Sequence, residues 1–300
     1  MKADYSFRTH VEIKKQDLTI NHRQTILLLG SCFTDNIGEK MLNGGFNCYV
    51  NPIGTLYNPL SIAKAFTLEL PDEIDNYCSW LHSRVNNPIE EFSKLQSVIK
   101  DKADLFIITF GTAFVYRLKS TGEVVANCKK YDASLFCRER ISQDEIADVW
   151  IDIITKQIQC KKGKDIRFIF TVSPIRHLKD GLHENQLSKS TLLLAIDKIC
   201  KAFPQNCTYF PSYEIVIDEL RDYRFYADDM MHPSQLAIDY IWDRFNLAYM
   251  DKETSDYISK FEKLNKTLSH RPSNPNDQEY ITLINETNKK IQELRHAIQH

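Results

Sequence analysis

A serine hydroxyl attacks an acyl carbon when a neighbouring base takes its proton and a third group holds that base in place. This sequence supplies residues for each part. Ser31 closes the run Ile26-Leu27-Leu28-Leu29-Gly30, and far downstream His232 follows Asp229 by three positions in Asp228-Asp229-Met230-Met231-His232-Pro233-Ser234. At that spacing a carboxylate can hold one imidazole nitrogen while the other faces a hydroxyl. The adjacent Asp228 is expected to face solvent. Cys32 is a rival nucleophile, but a residue one step into a helix points about 100° away from its neighbour, here toward the core. Taken alone, Ser31 also reads as a helix N-cap, the commoner role of a serine at such a turn.

These residues need a scaffold that returns the chain to one edge. The apolar run before Ser31 reads as a buried strand, and Phe33, Ile37 and Met41 recur every four residues as one face of a helix. A tight Gly-Ser turn between them puts the serine at the carboxyl edge of a parallel sheet, where open α/β sheets bind ligands. Asn47 to Val50 reads as a second strand, Leu60 to Leu70 as a helix, and Leu105 to Phe110 as the central strand, stopped by Gly111. Ile166 to Val172 and Thr208 to Phe210 are further strands flanking an amphipathic helix at 185–203, and a helical pattern resumes after Pro233. Strand alternating with helix predicts a parallel sheet covered on both faces.

An early Gly-Ser, paired with D-x-x-H before the last helix of the domain, resembles the SGNH (GDSL-type) hydrolase superfamily and, within it, the GSCFA family. Gly30-Ser31-Cys32-Phe33 nearly spells that family's name, with Thr34 where the name has alanine. Asn51-Pro52-Ile53-Gly54-Thr55-Leu56-Tyr57-Asn58-Pro59, Thr109-Phe110-Gly111-Thr112-Ala113-Phe114-Val115-Tyr116 and Thr171-Val172-Ser173-Pro174-Ile175-Arg176-His177 agree in the same order. The resemblance covers residues 1–250. It implies a three-layer α/β/α sandwich of SGNH or flavodoxin-like type and an ester or acyl hydrolase needing no cofactor or metal. In it Ser31 is the nucleophile, His232 the base and Asp229 its orienting acid. The oxyanion would take the backbone N–H groups of Ser31 and Gly54, although from the residues alone Gly54 reads equally well as a plain turn glycine. Where the superfamily's strand ends in Gly-x-Asn with an oxyanion asparagine, this chain reads Gly111-Thr112-Ala113 with none, so either the Thr112 hydroxyl donates instead or the backbone N–H groups of Ser31 and Gly54 act alone. One lost donor costs roughly 2–4 kcal/mol of transition-state stabilisation. An acyltransferase and a binding module for an acylated glycan or lipid are the alternatives. The resemblance leaves lipids, acetylated sugars, thioesters and peptidoglycan open as substrates.

Residues 116–165 read as an inserted, cap-like region, with a hairpin signal at Ser120-Thr121-Gly122 and a capping box beginning at Ser142. Its loops offer Tyr116, Arg117, Asn127, Lys129 and Lys130 as substrate contacts. Arg176 and His177, leaving the carboxyl end of a strand, form a basic pair that could hold an anionic or carbonyl group. His177, His183 and His232 match no standard zinc spacing with Asp229, so no metal is expected.

Composition describes an ordinary globule: 300 residues, 43% hydrophobic, 26% charged, net charge -2. Nothing asks for a nucleic-acid partner, and no stretch approaches the ~18 apolar residues of a membrane span. Eight dispersed cysteines without a C-x-x-C pair, and an N-terminus lacking an apolar signal core, point to reduced thiols in a cytoplasmic protein. The tail, 251–300, is polar and helical. Tyr280, Ile284, Thr287, Ile291, Leu294 and Ile298 form a heptad seam that either docks on the parent domain, the slightly favoured reading, or makes a homodimer.

Overall fold

A computed structural model describes residues 8–14, 17–68, 87–126, 128–129, 131–161, 163–269 and 278–299. Continuous apolar runs make the strands, because a parallel strand covered on both faces has no solvent side to keep polar. These are β1 (Thr25–Gly30), β2 (Asn47–Val50), β3 (Leu105–Phe110), β7 (Arg167–Val172) and β8 (Cys207–Phe210). They pair in parallel in the order β2-β1-β3-β7-β8. The strand at Leu105–Phe110 is central, as its unbroken apolar run predicts. This is the flavodoxin-like order, and it reverses direction between β1 and β3. The reversal leaves a crevice at the strands' carboxyl ends.

Alternate side chains feed two cores. Leu27 and Leu29 of β1 join Phe106, Ile108, Phe168 and Phe170 on one face. That face is covered by α2 (Pro59–Thr67), α3 (Pro88–Ser97), α4 (Gln143–Cys160) and α5 (Leu182–Ala202). Ile26 and Leu28 join Leu105, Ile107 and Ile169 on the other face. There α1 (Cys32–Asn43) and α6 (Gln235–Tyr249) close the third layer with Phe33, Ile37, Ile241 and Trp242.

The inserted region is smaller than 116–165. Only β4 (Phe114–Leu118), β5 (Val124–Val125) and β6 (Phe136–Arg140) stand apart, as a small antiparallel sheet. The helix that follows, α4, is part of the main stack, with Trp150 fully buried against Phe110 and Phe170. Its capping box forms, Ser142 Oγ accepting from the Glu145 N–H at 3.1 Å.

The tail is a pair of helices, α7 (Lys252–Ser269) and α8 (Gln278–Gln299). The heptad seam is the covered stripe of α8, and Ile291 and Ile298 bury against Phe261 of α7. Phe261 packs on Gly45, Asn265 bonds the Asn43 carbonyl, and Arg23 donates to the Ile298 carbonyl at 3.0 Å. The seam docks within its own chain. No described helix is long and apolar enough to cross a membrane, and all described cysteines are free thiols.

Candidate active site

The turn after β1 is built around a glycine. Gly30 has φ +151°, and a Cβ there would meet the Thr109 carbonyl at 2.3 Å and Thr34 Oγ1 at 2.8 Å. Its N–H is held by Asn51 Oδ1 at 2.9 Å, and the Asn51 amide donates onward to Asp35 Oδ1 at 2.7 Å. Ser31 therefore leaves the sheet at a fixed angle and caps α1, its Oγ accepting from the Phe33 N–H at a long 3.4 Å. The serine is 1% exposed yet lines a cleft of about 420 Å³.

The histidine arrives from the opposite wall. Asp229 Oδ1 accepts the N–H groups of Met231 and His232, both at 2.9 Å, and its Oδ2 meets His232 Nδ1 at 2.5 Å. Met230 takes φ +57° to close this loop, and the Ala227 N–H bonds the His232 carbonyl at 2.7 Å. The N–H of His232, then that of Met231 and the imidazole, pull the Asp229 carboxyl down to about 2. It remains a carboxylate throughout the neutral range. His232 lines the same cleft as Ser31.

Cys32 packs partly against the core on the α1 side of the sheet, yet it also reaches the cleft. Its Sγ lies 3.7 Å from His232 Nε2 and borders the cleft, because α1 starts at the crevice and its first turn overhangs it. Burial, then the charge of Asp35, push the thiol up, so it is held in its protonated form.

The expected oxyanion donors divide. The Gly54 N–H is committed to the Asn51 carbonyl at 2.8 Å, in a turn that does not line the cleft. In the same motif the Asn51 side chain holds the Gly30 N–H. Thr112 does line the cleft. Its Oγ1 accepts from the Phe114 N–H at 3.1 Å and lies 3.1 Å from Ser188 Oγ, which accepts the Ala113 N–H at 2.8 Å. When the Ser188 hydroxyl donates to Thr112, the Thr112 proton is left for the cleft. Among the described residues no backbone acceptor takes the Ser31 N–H.

Of the expected substrate contacts, Tyr116, Arg176 and His177 line the cleft. Arg117 does not. It is held by Glu139 and by Glu145, the latter at 2.7 Å, and braces the small sheet against α4. Lys129 is exposed and stands apart from the cleft's lining. Asn127 and Lys130 lie outside the described residues. His177 is not half of a basic pair: burial, then the charge of Lys189, push its imidazole down to about 4, so it is neutral at pH 7. Its Nε2 is buried without a hydrogen-bond partner.

Lys189 went unmarked in the sequence. It lies on α5, fully buried, and its Nζ donates to the carbonyls of Gly111 and Ser173, both at 2.7 Å. Those carbonyls follow the ends of β3 and β7, so one amine ties together two strand ends beneath the cleft. Burial holds the amine down to about 7. A sequence signal existed, since Lys189 falls between Asn185 and Leu192 on the helix's buried stripe.

Among the described residues no three His, Cys, Asp or Glu side chains gather as metal ligands do. A larger hollow of about 670 Å³ lies by Arg8, Glu219 and Arg224 and shares no residue with the cleft. Its buried carboxylate, Glu219, is taken up by His10, Tyr240 and the Val11 N–H.

Residues 25–245 match the family model of the GSCFA family. Among solved structures the chain is similar to a candidate acylhydrolase from Bacteroides fragilis NCTC 9343, at 12% identity and TM-score 0.41, covering 82% of this chain and 92% of that one. It is also similar to an acetyl xylan esterase from the rumen bacterium Butyrivibrio proteoclasticus, at 10% identity and TM-score 0.42, covering 76% and 65%. A carbohydrate esterase family 3 protein from Talaromyces cellulolyticus matches at 10% identity and TM-score 0.37, covering 79% and 98%. No curated protein sequence matches.

Proposed function

The chain belongs to the GSCFA family, and from that premise and the geometry of its cleft we propose that it hydrolyses an ester or acyl bond through Ser31, His232 and Asp229. One observation carries the reading. At the sheet's reversal point, an imidazole oriented by a carboxylate and a serine at a strand-to-helix turn line one cleft.

In this reaction Ser31 Oγ leaves its long bond to Phe33, attacks the acyl carbon and passes its proton to His232 Nε2. Asp229 holds the imidazole tautomer and stabilises its charged form. The carbonyl oxygen, now negative, takes the Ser31 N–H and the Thr112 hydroxyl. Collapse expels the alcohol, which takes the proton from His232. Water then repeats the sequence on the acyl-serine and releases the acid. Among the described residues Ser31 Oγ bonds the Phe33 N–H and His232 Nε2 meets Cys32 Sγ, so the Ser31–His232 bond forms with substrate, as catalytic hydrogen bonds often do.

A second reading has Cys32 as nucleophile, and its Sγ at 3.7 Å from His232 Nε2 favours it. Against it, burial and Asp35 keep the thiol protonated. Hydrolysis of p-nitrophenyl acetate by Ser31→Ala, Cys32→Ser and His232→Ala separates the two. The serine reading expects losses of roughly 10³-fold or more in Ser31→Ala and His232→Ala, with Cys32→Ser largely active. The reverse order for Ser31 and Cys32 supports the thiol. A folded wild-type chain with no turnover supports a binding module.

A further inference from the structure

The cleft has a charge pattern that ester hydrolysis does not require. Its wall is the loop that follows β7, and that loop contributes Arg176, Lys179 and Asp180 to the lining. Asp180 is neutralised across the cleft by both arms of Arg138. Neither of the other two cations meets a carboxylate among the described residues. Arg176 donates one N–H to the Met230 carbonyl at 3.2 Å and stacks over Tyr226 and Tyr223, at 4.8 and 5.4 Å. Lys179 donates to Tyr116 Oη at 2.7 Å.

Arg23, Lys161 and Lys164 are likewise bonded to backbone carbonyls, but they lie outside the cleft, and several other cations are paired. Lys94, Arg117 and Lys198 each meet two carboxylates, in a sequence with 40 acids for 38 bases. Beneath the cleft Lys189 adds a buried amine bonded only to carbonyls. Stacking on two rings fixes the Arg176 plane before any ligand arrives, and a fixed guanidinium with unused N–H groups suits a carboxylate or a phosphate.

We propose that the ester's alcohol portion is anionic, its carboxylate or phosphate held by Arg176 and Lys179 while the acyl group sits at Ser31. The ester part of this statement rests on the hydrolase reading, and the anion part does not. Tyr57, Phe114 and Tyr116 supply apolar ring faces for the body of the ligand.

Two acetyl esters that differ in one charge test it: 4-acetoxybenzoate and its methyl ester. The readout is the ratio of their kcat/KM values within one protein, so a general loss of activity in a variant cancels. Arg176→Gln and Lys179→Gln should each lower the anion-to-neutral ratio, Arg176→Gln by about tenfold or more, and Lys201→Gln, on the far end of α5, should leave it alone. Ratios within about twofold of wild type in both cleft variants overturn the proposal.

If wild type turns over neither ester, the hydrolase reading fails and the anion is tested by calorimetric titration of the full chain. Digalacturonate, glucose 6-phosphate and uncharged xylobiose are the probes. Tighter binding of the first marks a carboxylate and of the second a phosphate, each to be weakened in Arg176→Gln. Equal binding of all three, or none, overturns the proposal.

Discussion

At the scale of single residues, the site depends on groups whose partners lie far away in sequence. The D-x-x-H motif was legible because both members sit in one loop, and the serine because its turn is local. Asn51 was not, although its motif was noticed. The resemblance singles out Gly54 as an oxyanion donor, while the Asn51 side chain does a different job, holding the Gly30 N–H at the turn before Ser31. Lys189 was missed for a related reason: a lysine in an amphipathic helix reads as part of its solvated face until its stripe is shown to be the buried one.

That buried amine has a measurable consequence. It titrates near 7 when folded, against 10.5 for an ordinary lysine. The unfolded chain therefore binds more protons between those values, and stability should rise with pH across that window. Urea denaturation at pH 7 and pH 9 should show a larger gain for wild type than for Lys189→Met. Equal gains would mean that the amine is not held in this uncharged setting.

At the scale of elements, the strand-helix alternation was readable because continuous apolar runs and a four-residue period are local signals. The extent of the insertion was not, because α4 carries the same amphipathic pattern in a cap as in a packed layer. Its burial in the main core, with Ile146, Trp150, Ile153 and Ile154 among the sheet's phenylalanines, distinguishes the two. The direction of Cys32 was only half legible on similar grounds: it packs against the core, as expected, and also borders the cleft. A rotation of about 100° fixes the angle between neighbours, while the placement of α1 against the crevice decides where that angle points.

The β1–α1 turn is the tightest join in the site. Gly30→Ala combines an unfavourable φ with a clash against the Thr109 backbone. It should cost about 3 kcal/mol or more, the sum expected of overpacking and backbone strain, read as a lowered urea midpoint. A midpoint shift worth less than about 1 kcal/mol would show that the turn can relax.

At the scale of the whole molecule, the sheet's reversal point explains why residues from both ends of the chain share one cleft. Ser31 leaves β1 there, Thr112 leaves β3, and the loop after β7 meets the His232 loop where the Arg176 N–H bonds the Met231 carbonyl at 3.1 Å. The tail helices attach elsewhere, on α1 and the segment before β1. Replacing Ile291 with Asp should speed hydrogen exchange across 278–299 and leave the amides of β1 and β3 protected. Because the seam is covered within its own chain, light scattering should give one mass for wild type and variant. Loss of protection in the sheet, or a halved mass, would give the tail a larger part in assembly than its contacts allow.

The identity of the nucleophile decides the account. Mass mapping of the chain after treatment with a fluorophosphonate reads it directly, because the phosphonyl group stays on the atom that attacked it. The serine mechanism predicts one adduct, on Ser31, that fails to form in His232→Ala. An adduct on Cys32, or an undiminished one in His232→Ala, would contradict it.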